Sequence, residues 1–439
     1  MKKKREKNTE LPLLEKDLSE DVENMEEETS KRKERKKEEV SSETKKEKKE
    51  KRRARARKRL KQLAPFLVFL GLSIIILVVF LILRTNVAIC EYMTKNVMGN
   101  INSFVGGIAA KLPFSAFEFF VVFCLCVLFV LILTMIILAV KKKGVISLKI
   151  LCSIVGIAFL FGSYYVLVAG FAYNRAPIAE FSPDYQPDYW EYYDIAKWYK
   201  ADYDALGEKM ERDQDGFSIC TYTNDELNVL LKKEVQRLDG YYNVKGCFSV
   251  KPMKLFSGYM SDTRITGITF MPTGDCGVNN LMPSVEYPST AMHEMMHSVG
   301  IMRENEANFM ACYLLISSEN DYLRYCGYME FYGYLYNALF INATNEELNA
   351  VGVSAKVYKE RQLINEYWWS QKSFMDKVGD FFNDLYLKLS GQKEGTGSYG
   401  EPTTPGEGFY EEGDRVFREM IYNNFQQAFI RNYLDKTLE

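Results

Sequence analysis

Hydrophobic positions along this chain fall first into three unbroken runs and then into shorter periodic clusters. Residues 63–83, 119–140 and 150–173 form stretches of 21, 22 and 24 positions without a charged side chain. At a rise of about 1.5 Å per residue, a helix of any of these lengths crosses a hydrocarbon layer of about 30 Å. The pattern predicts three transmembrane helices within a membrane domain at 62–173. Ahead of them, residues 1–61 hold 24 Lys/Arg and 16 Asp/Glu, a net of +8. With almost nothing apolar to bury, this segment is expected to be a disordered charged tail, and alternating charge over 31–39 supports at most a transient helix.

The distribution of cations sets an expected orientation. Lys51, Arg52, Arg53, Arg55, Arg57, Lys58 and Arg59 precede the first run, and Lys141, Lys142, Lys143 and Lys149 separate the second from the third. Arg84, Lys95 and Lys111 are the cations of the loop at 84–115. The positive-inside rule therefore places the tail in the cytoplasm and, after three crossings, residues 174–439 outside it. The first run starts too late and is too long for a cleaved leader, so it reads as a signal anchor.

Beyond residue 173, Pro177, Pro183 and Pro187 mark an extended approach. Helical periodicity then recurs at 189–212, 225–238, 289–299, 304–317, 321–342, 346–389 with a break, and 415–434. One β-like stretch, 263–271, leads through a turn to 278–282, and the Gly- and Pro-rich segment 391–413 reads as a loop. The expected fold is mainly α: three transmembrane helices followed by an α-rich extracytoplasmic domain, 174–439, with a small sheet. That region carries 25 Lys/Arg against 40 Asp/Glu, a net of −15, which argues against nucleic acid as a partner. Five of the nine cysteines lie there without a CxxC pair, so no disulfide pairing follows.

Candidate chemistry concentrates in His293-Glu294-Met295-Met296-His297, an HExxH motif formed by the chain's only two histidines. On a helix, positions i and i+4 share a face, so both imidazoles can reach one ion, while Glu294 stands about 100° round as a candidate general base. A hydrolytic zinc takes three protein ligands and keeps a position for water, whereas a structural zinc is closed by four. With no third histidine, the remaining ligand is expected to be a carboxylate. Gly300 can end the motif helix and turn the chain back towards Glu304 and Glu306. Glu304 is the first choice, because Asn308 one turn on would stand behind it as a supporting hydrogen-bond partner. Glu306, about 200° round the helix, is the second.

The motif, Gly300, and the run Glu304-Asn305-Glu306-Ala307-Asn308-Phe309 resemble an uncharacterised bacterial family of multi-span membrane proteins with an outer gluzincin-like domain. The stretches Gly170-Phe171-Ala172-Tyr173-Asn174-Arg175-Ala176-Pro177 and Arg324-Tyr325-Cys326-Gly327-Tyr328 are similar to other landmarks of that family, as is the region from Gly391 to Gly400. The spacing of Glu304 and Asn308 is also similar to the third-ligand helix of other zinc peptidases. The resemblance implies Zn2+ as cofactor and a membrane-anchored metallopeptidase in the bacterial cytoplasmic membrane, cutting a peptide or protein substrate outside the cytoplasm. Tyr328, Tyr332, Arg303 and Arg324 are candidates to stabilise charge on the scissile carbonyl, Tyr328 foremost. An exposed edge of the small sheet can bind an extended peptide by strand addition. The competing reading is a metal-stabilised sensor or scaffold whose charged tail binds a cytoplasmic partner or anionic lipid.

Overall fold

The computed structural model describes residues 11–178, 186–393, 395–399 and 404–437. Residues 1–10 of the tail, Pro183, and positions 394 and 400–403 of the Gly- and Pro-rich segment lie outside the described residues. Among the described residues, three helices are long and apolar enough to cross a membrane: Lys46–Leu83, Ala116–Val140 and Gly144–Gly170. The first belongs to α1 (Leu11–Leu83), which continues back through the tail where the sequence led us to expect no order. Glu47 and Lys51 pair one turn apart on this stretch, so local charge alternation supports the helix in the absence of a core. The third span is α5 (Gly144–Tyr165) extended by a π-helical turn, Val166–Gly170, and therefore ends three residues before the expected boundary at 173.

Backbone proximity divides the chain into two compact units, residues 1–71 with 138–154 and residues 72–137 with 155–439. In the first, the Lys149 ammonium lies over the Phe66 ring at 5.4 Å. The candidate site residues all lie in the second. There the loop after the first span folds into α2 (Val87–Tyr92), a π-helical turn (Met93–Met98) and α3 (Gly99–Ala109), then enters α4 (Ala116–Val140). The sequence reading assigned no elements to this loop. It belongs to the folded domain: Asn102 donates to the Ser298 carbonyl at 3.3 Å, and Asn243 to the Lys95 carbonyl at 3.0 Å.

After α6 (Tyr189–Lys209) and α7 (Asn224–Gln236) comes a three-stranded sheet of β1 (Val250–Met253), β2 (Gly267–Phe270) and β3 (Asp275–Asn279), in the order β1-β3-β2. The strands near 263–271 and 278–282 are present, shorter and displaced, and they pair antiparallel. The sequence reading missed β1, which runs parallel to β3 and carries Pro252, a residue that a sheet tolerates at its edge. Buried acids tie the sheet to the first turn of α4. Asp275 accepts from the Ser115 hydroxyl at 2.8 Å, and Glu118 accepts from the backbone N–H groups of Leu255 and Phe256 at 2.6 and 2.9 Å. These two residues lead into α8 (Ser257–Asp262).

The remaining helices are α9 (Tyr287–Ser298), α10 (Glu304–Ile316), α11 (Asp321–Leu339), α12 (Asn345–Val351), α13 (Ala355–Ser370) and α14 (Met375–Ser390). The segment 346–389, expected to be helical with a break, is thus three helices. Residues 415–434, expected to be helical, divide into a strand and a helix. β4 (Thr404–Glu412) and β5 (Arg415–Ile421) form an antiparallel hairpin, and α15 (Asn424–Thr437) follows. Gly413, at φ +59, supplies the left-handed turn position, and alternation then buries Phe417. The core sits round α9, whose Ala291, Met292, Met295 and Met296 are fully buried beside β2 and β3 on one side and α10 and α11 on the other.

Candidate metal centre

Helix α9 begins with Pro288 in its first turn, where the missing N–H costs nothing, and ends in a glycine-dependent turn. Gly300 adopts φ +97; its N–H donates to the His297 carbonyl and the Ile301 N–H to the Met296 carbonyl, both at 3.0 Å, as in a Schellman motif. A Cβ at this position would lie 2.7 Å from Thr94 Cγ2. Arg175 holds the turn by donating to the Gly300 carbonyl at 3.2 Å while its other nitrogens grip both Glu91 carboxylate oxygens at 3.0 and 2.9 Å. The reversal brings the first residue of α10 back over the motif face.

Glu304 is that residue. Its Oε2 lies 3.1 Å from His293 Nε2 and 3.4 Å from His297 Nε2. One donor atom from each of the three residues falls within 4.8 Å of the other two. Around an ion bonded at about 2.0–2.1 Å, tetrahedron edges are about 3.3–3.4 Å, so the carboxylate stands near ligand spacing from both rings. The His297 Nδ1–H donates to the Ile301 carbonyl at 2.9 Å, which orients the ring and leaves Nε2 for the site. His293 Nδ1 is buried without a hydrogen-bond partner among the described residues.

The electrostatics follow from burial and proximity. Burial pulls the His297 pKa down, but the Glu304 carboxylate outweighs it and holds the ring at about 9. Burial pushes Glu304 up, and the two imidazoles outweigh it, leaving the carboxyl at about 2. The group is therefore a buried carboxylate compensated by protonated imidazole, a charge arrangement that a divalent cation can replace. Glu294, one position on from His293, is also buried, and burial raises its pKa against the opposing pull of the imidazoles. Its neighbour is β2: Thr269 donates to the Glu294 carbonyl at 2.8 Å, and a Cβ on Gly267 would come within 2.5 Å of Glu294 Oε1. The glycine leaves room for the carboxylate.

The other candidate residues lie elsewhere. Glu306 is turned away and pairs with Arg303 at 2.8 Å. Asn308 is half-buried and forms no hydrogen bond to either imidazole or to Glu304 among the described residues. Tyr328 belongs to the aromatic core: its ring lies 4.4 Å from that of Tyr199, and its hydroxyl donates to Asp202 at 3.0 Å. Tyr332 donates to the Val351 carbonyl, and Arg324 lies beside Asp321. A cavity of about 740 Å³ bounded by α3, α4, α7 and β1 includes none of the metal-site residues in its lining.

Four contributors were missed from sequence: Gly267, Thr269, Arg175 and Tyr386. Tyr386, on α14, accepts from the Tyr165 hydroxyl at 2.8 Å and lies 3.2 Å from that of Tyr173. Burial raises its phenol pKa far above the ordinary value; Tyr165 and the charge of Glu304 add to the effect, and the hydrogen bond with Tyr173 opposes it. The phenol thus feels the metal-site carboxylate. Arg175 lies within a stretch already singled out for its resemblance; the other three carry no local signal beyond glycine and threonine in a strand.

A family described as a protein of unknown function, DUF3810, matches residues 93–404. The match takes in the second and third spans, the motif helix, Glu304 and α14, and leaves out the charged tail and the first span. No curated protein and no solved structure matches the chain. With two of the three apolar spans and the histidine-carboxylate cluster inside a matched region that covers most of the chain, this chain belongs to the DUF3810 family.

Proposed function

We propose that this protein is a membrane-anchored, zinc-dependent peptidase that hydrolyses peptide bonds of a protein outside the cytoplasm. The observation that carries the reading is the convergence of His293, His297 and Glu304, the carboxylate 3.1 and 3.4 Å from the two imidazole nitrogens, with the buried Glu294 beside them. Two nitrogens and one carboxylate suit Zn2+ in a hydrolytic rather than a structural site, because a fourth position is left for water. In such a site Zn2+ supplies a Lewis acid and lowers the pKa of water towards neutrality.

The chain's own groups perform the proton transfers. Glu294, its pKa raised by burial, accepts a proton at a carboxylate oxygen and delivers it to the departing amine. The Thr269 hydroxyl, bonded to the Glu294 carbonyl, holds that turn of α9 against β2. As the sheet's outer strand, β2 lies along the motif helix, and an extended peptide adding to its free side presents its backbone next to Glu294. Tyr386 is our candidate to donate to the carbonyl oxygen as negative charge develops there. The lysine and arginine clusters before α1's apolar part and between α4 and α5 favour a cytoplasmic tail, with the zinc domain on the outer face of a bacterial cytoplasmic membrane.

The test uses the full-length protein in detergent or nanodiscs, with metal content and cleavage of an unfolded protein substrate measured together. Glu294→Gln is expected to retain about one zinc per chain and lose cleavage. Zinc bound by wild type without cleavage of any membrane or envelope protein, followed by appearance of new N-termini, would favour the scaffold reading. Cleavage undiminished in Glu294→Gln would remove the assigned base.

A further inference from the structure

Helix α14 has three faces, and its apolar one points away from the protein. At about 100° per residue, Phe374, Val378, Phe381, Phe382, Leu385 and Leu389 fall within a single stripe about 100° wide. Of these, the five large residues other than Val378 are exposed, from 42% at Leu385 to 78% at Phe374. Gly379, Leu387 and Ser390 are buried against the domain. Lys377, Asp380, Asp384 and Lys388 occupy the remaining side, with Lys388 and Asp384 paired at 2.7 Å. In a helix that only covers a soluble core, the apolar stripe would face inward. Here it needs a separate apolar medium.

The contacts at the two ends of α14 identify that medium. At its C-terminal end, Tyr386 and Ser390 bond the hydroxyl of Tyr165 at 2.8 and 3.2 Å, and Tyr165 is the last residue of α5 within the third span. At the other end, Asp376 lies 3.6 Å from Arg264, and Ser373 donates to the Asp262 carbonyl at 3.0 Å. Asp262 ends α8 and Arg264 follows it two residues on, and the entry of α8 is held by Glu118 in the first turn of the second span. One end is thus tied to where the third span ends and the other to where the second begins. Phe270 of β2 packs against Phe120 and Phe161, which belong to those same two spans, with ring centroids at 5.6 and 6.4 Å. A helix tied at both ends to span termini lies along the bilayer surface. Trp369, just before it, sits under the cations of Lys372 and Arg264 at 4.5 and 5.9 Å, an arrangement suited to the headgroup level.

We infer that α14 is an interfacial membrane helix, with Phe374, Phe381, Phe382, Leu385 and Leu389 inserted at the boundary between headgroups and acyl chains. Such helices bury their apolar face about 5–10 Å into that boundary. Because Gln392, just past the same helix, donates to the Met302 carbonyl at 3.2 Å in the turn that leads to Glu304, the proposed metal centre opens at the height of the membrane surface. Taken with the peptidase reading, on which this last step rests, the substrate is a membrane-tethered polypeptide cut in the segment just outside the bilayer.

The insertion is tested without metal or cleavage, so its failure and that of the peptidase reading are separable. Phe382→Trp and Leu389→Trp, made separately in the full chain, are reconstituted in vesicles of phosphatidylethanolamine and phosphatidylglycerol. The emission added relative to wild type is then quenched with brominated lipids and with aqueous iodide. The expected result is strong quenching by bromine placed near the headgroup end of the acyl chain, weaker quenching by bromine near the methyl end, and little by iodide. Iodide quenching without bromolipid quenching places the stripe in water and overturns the inference. Resistance to both quenchers places it against protein and overturns it equally, as does strongest quenching from the bilayer centre.

Discussion

Replacing Glu304 by glutamine separates the charge of the centre from its shape. The side chain keeps its size and one carbonyl oxygen, but the carboxylate that stands 3.1 and 3.4 Å from the two imidazole nitrogens is lost. Changing a residue that merely supports a metal ligand typically weakens binding about 10–100-fold, so losing a charged ligand is expected to cost about a hundredfold or more. Suppose free zinc is held at about 1,000 times the wild-type Kd. Binding then stabilises wild type by about 4 kcal/mol, whereas a site a hundredfold weaker gains only about 1.4 kcal/mol. The difference, about 2.7 kcal/mol, corresponds to about 5–10 °C in Tm for an outer domain of this size. The assay is calorimetric melting of the full chain in nanodiscs, after chelation and after zinc is restored, with metal content measured on the same samples. Wild type should gain the shift and Glu304→Gln should lose most of it. A wild-type melting point indifferent to zinc, or a variant that binds and responds as wild type does, would refute the assignment of this carboxylate to the metal.

Other consequences can be checked separately. Gly267→Ala places a methyl group where the Glu294 carboxylate lies, 2.5 Å from Oε1, so zinc content should be kept while kcat/KM falls by about a hundredfold, the cost of a misplaced catalytic group. Burial alone would raise Glu347, but Arg415, the Thr344 N–H and the Tyr189 hydroxyl outweigh it and hold the carboxyl at about 2 against an ordinary 4.5. Its contribution to stability is therefore complete above about pH 4.5 and disappears as the pH falls towards 2. Glu347→Gln should lower denaturation stability by about 1–2 kcal/mol at neutral pH, with the gap closing on acidification; a gap independent of pH would contradict this ion pair. If the site opens at the membrane surface, a peptide anchored to the vesicle by an acyl chain should be cut about tenfold or more faster than the same free peptide, through its raised local concentration. Equal rates for the two would count against a substrate presented by the bilayer.

The parts of this molecule legible in the sequence are those whose information is local. Continuous apolar runs place the three spans, and the spacing of His293 and His297 alone sets two donors on one helical face. The preference for Glu304 over Glu306 rested on Asn308 standing one turn behind it, a hydrogen bond the structure does not make; the Gly300 turn is what brings Glu304 back to the two imidazoles. Where contacts come from distant segments, the pattern was silent or misleading. In a chain with 29 tyrosines, helical periodicity cannot separate a core ring from one beside a carboxylate. Tyr328 is held by Tyr199 and Asp202, whereas Tyr386 meets Tyr165 and Tyr173 only because α14 docks on the end of a membrane span. The hairpin at the C-terminus was hidden for a related reason, since its alternation becomes decisive only once Gly413 has turned the chain.

Helix α14 carries this argument furthest. Its sequence has the periodicity of any amphipathic helix, and periodicity says that one side is apolar without saying which side the rest of the protein covers. The domain packs against Gly379, Leu387 and Ser390 and leaves the phenylalanines and leucines outward. In water that choice would waste the burial of five large side chains, each contributing about 1.5–3 kcal/mol when removed from solvent. At a membrane surface the same choice is the stable one, because lipid takes the apolar stripe while Gly379, Leu387 and Ser390 pack against the domain. The direction in which this helix was rotated during folding is therefore evidence about the solvent the domain folded against.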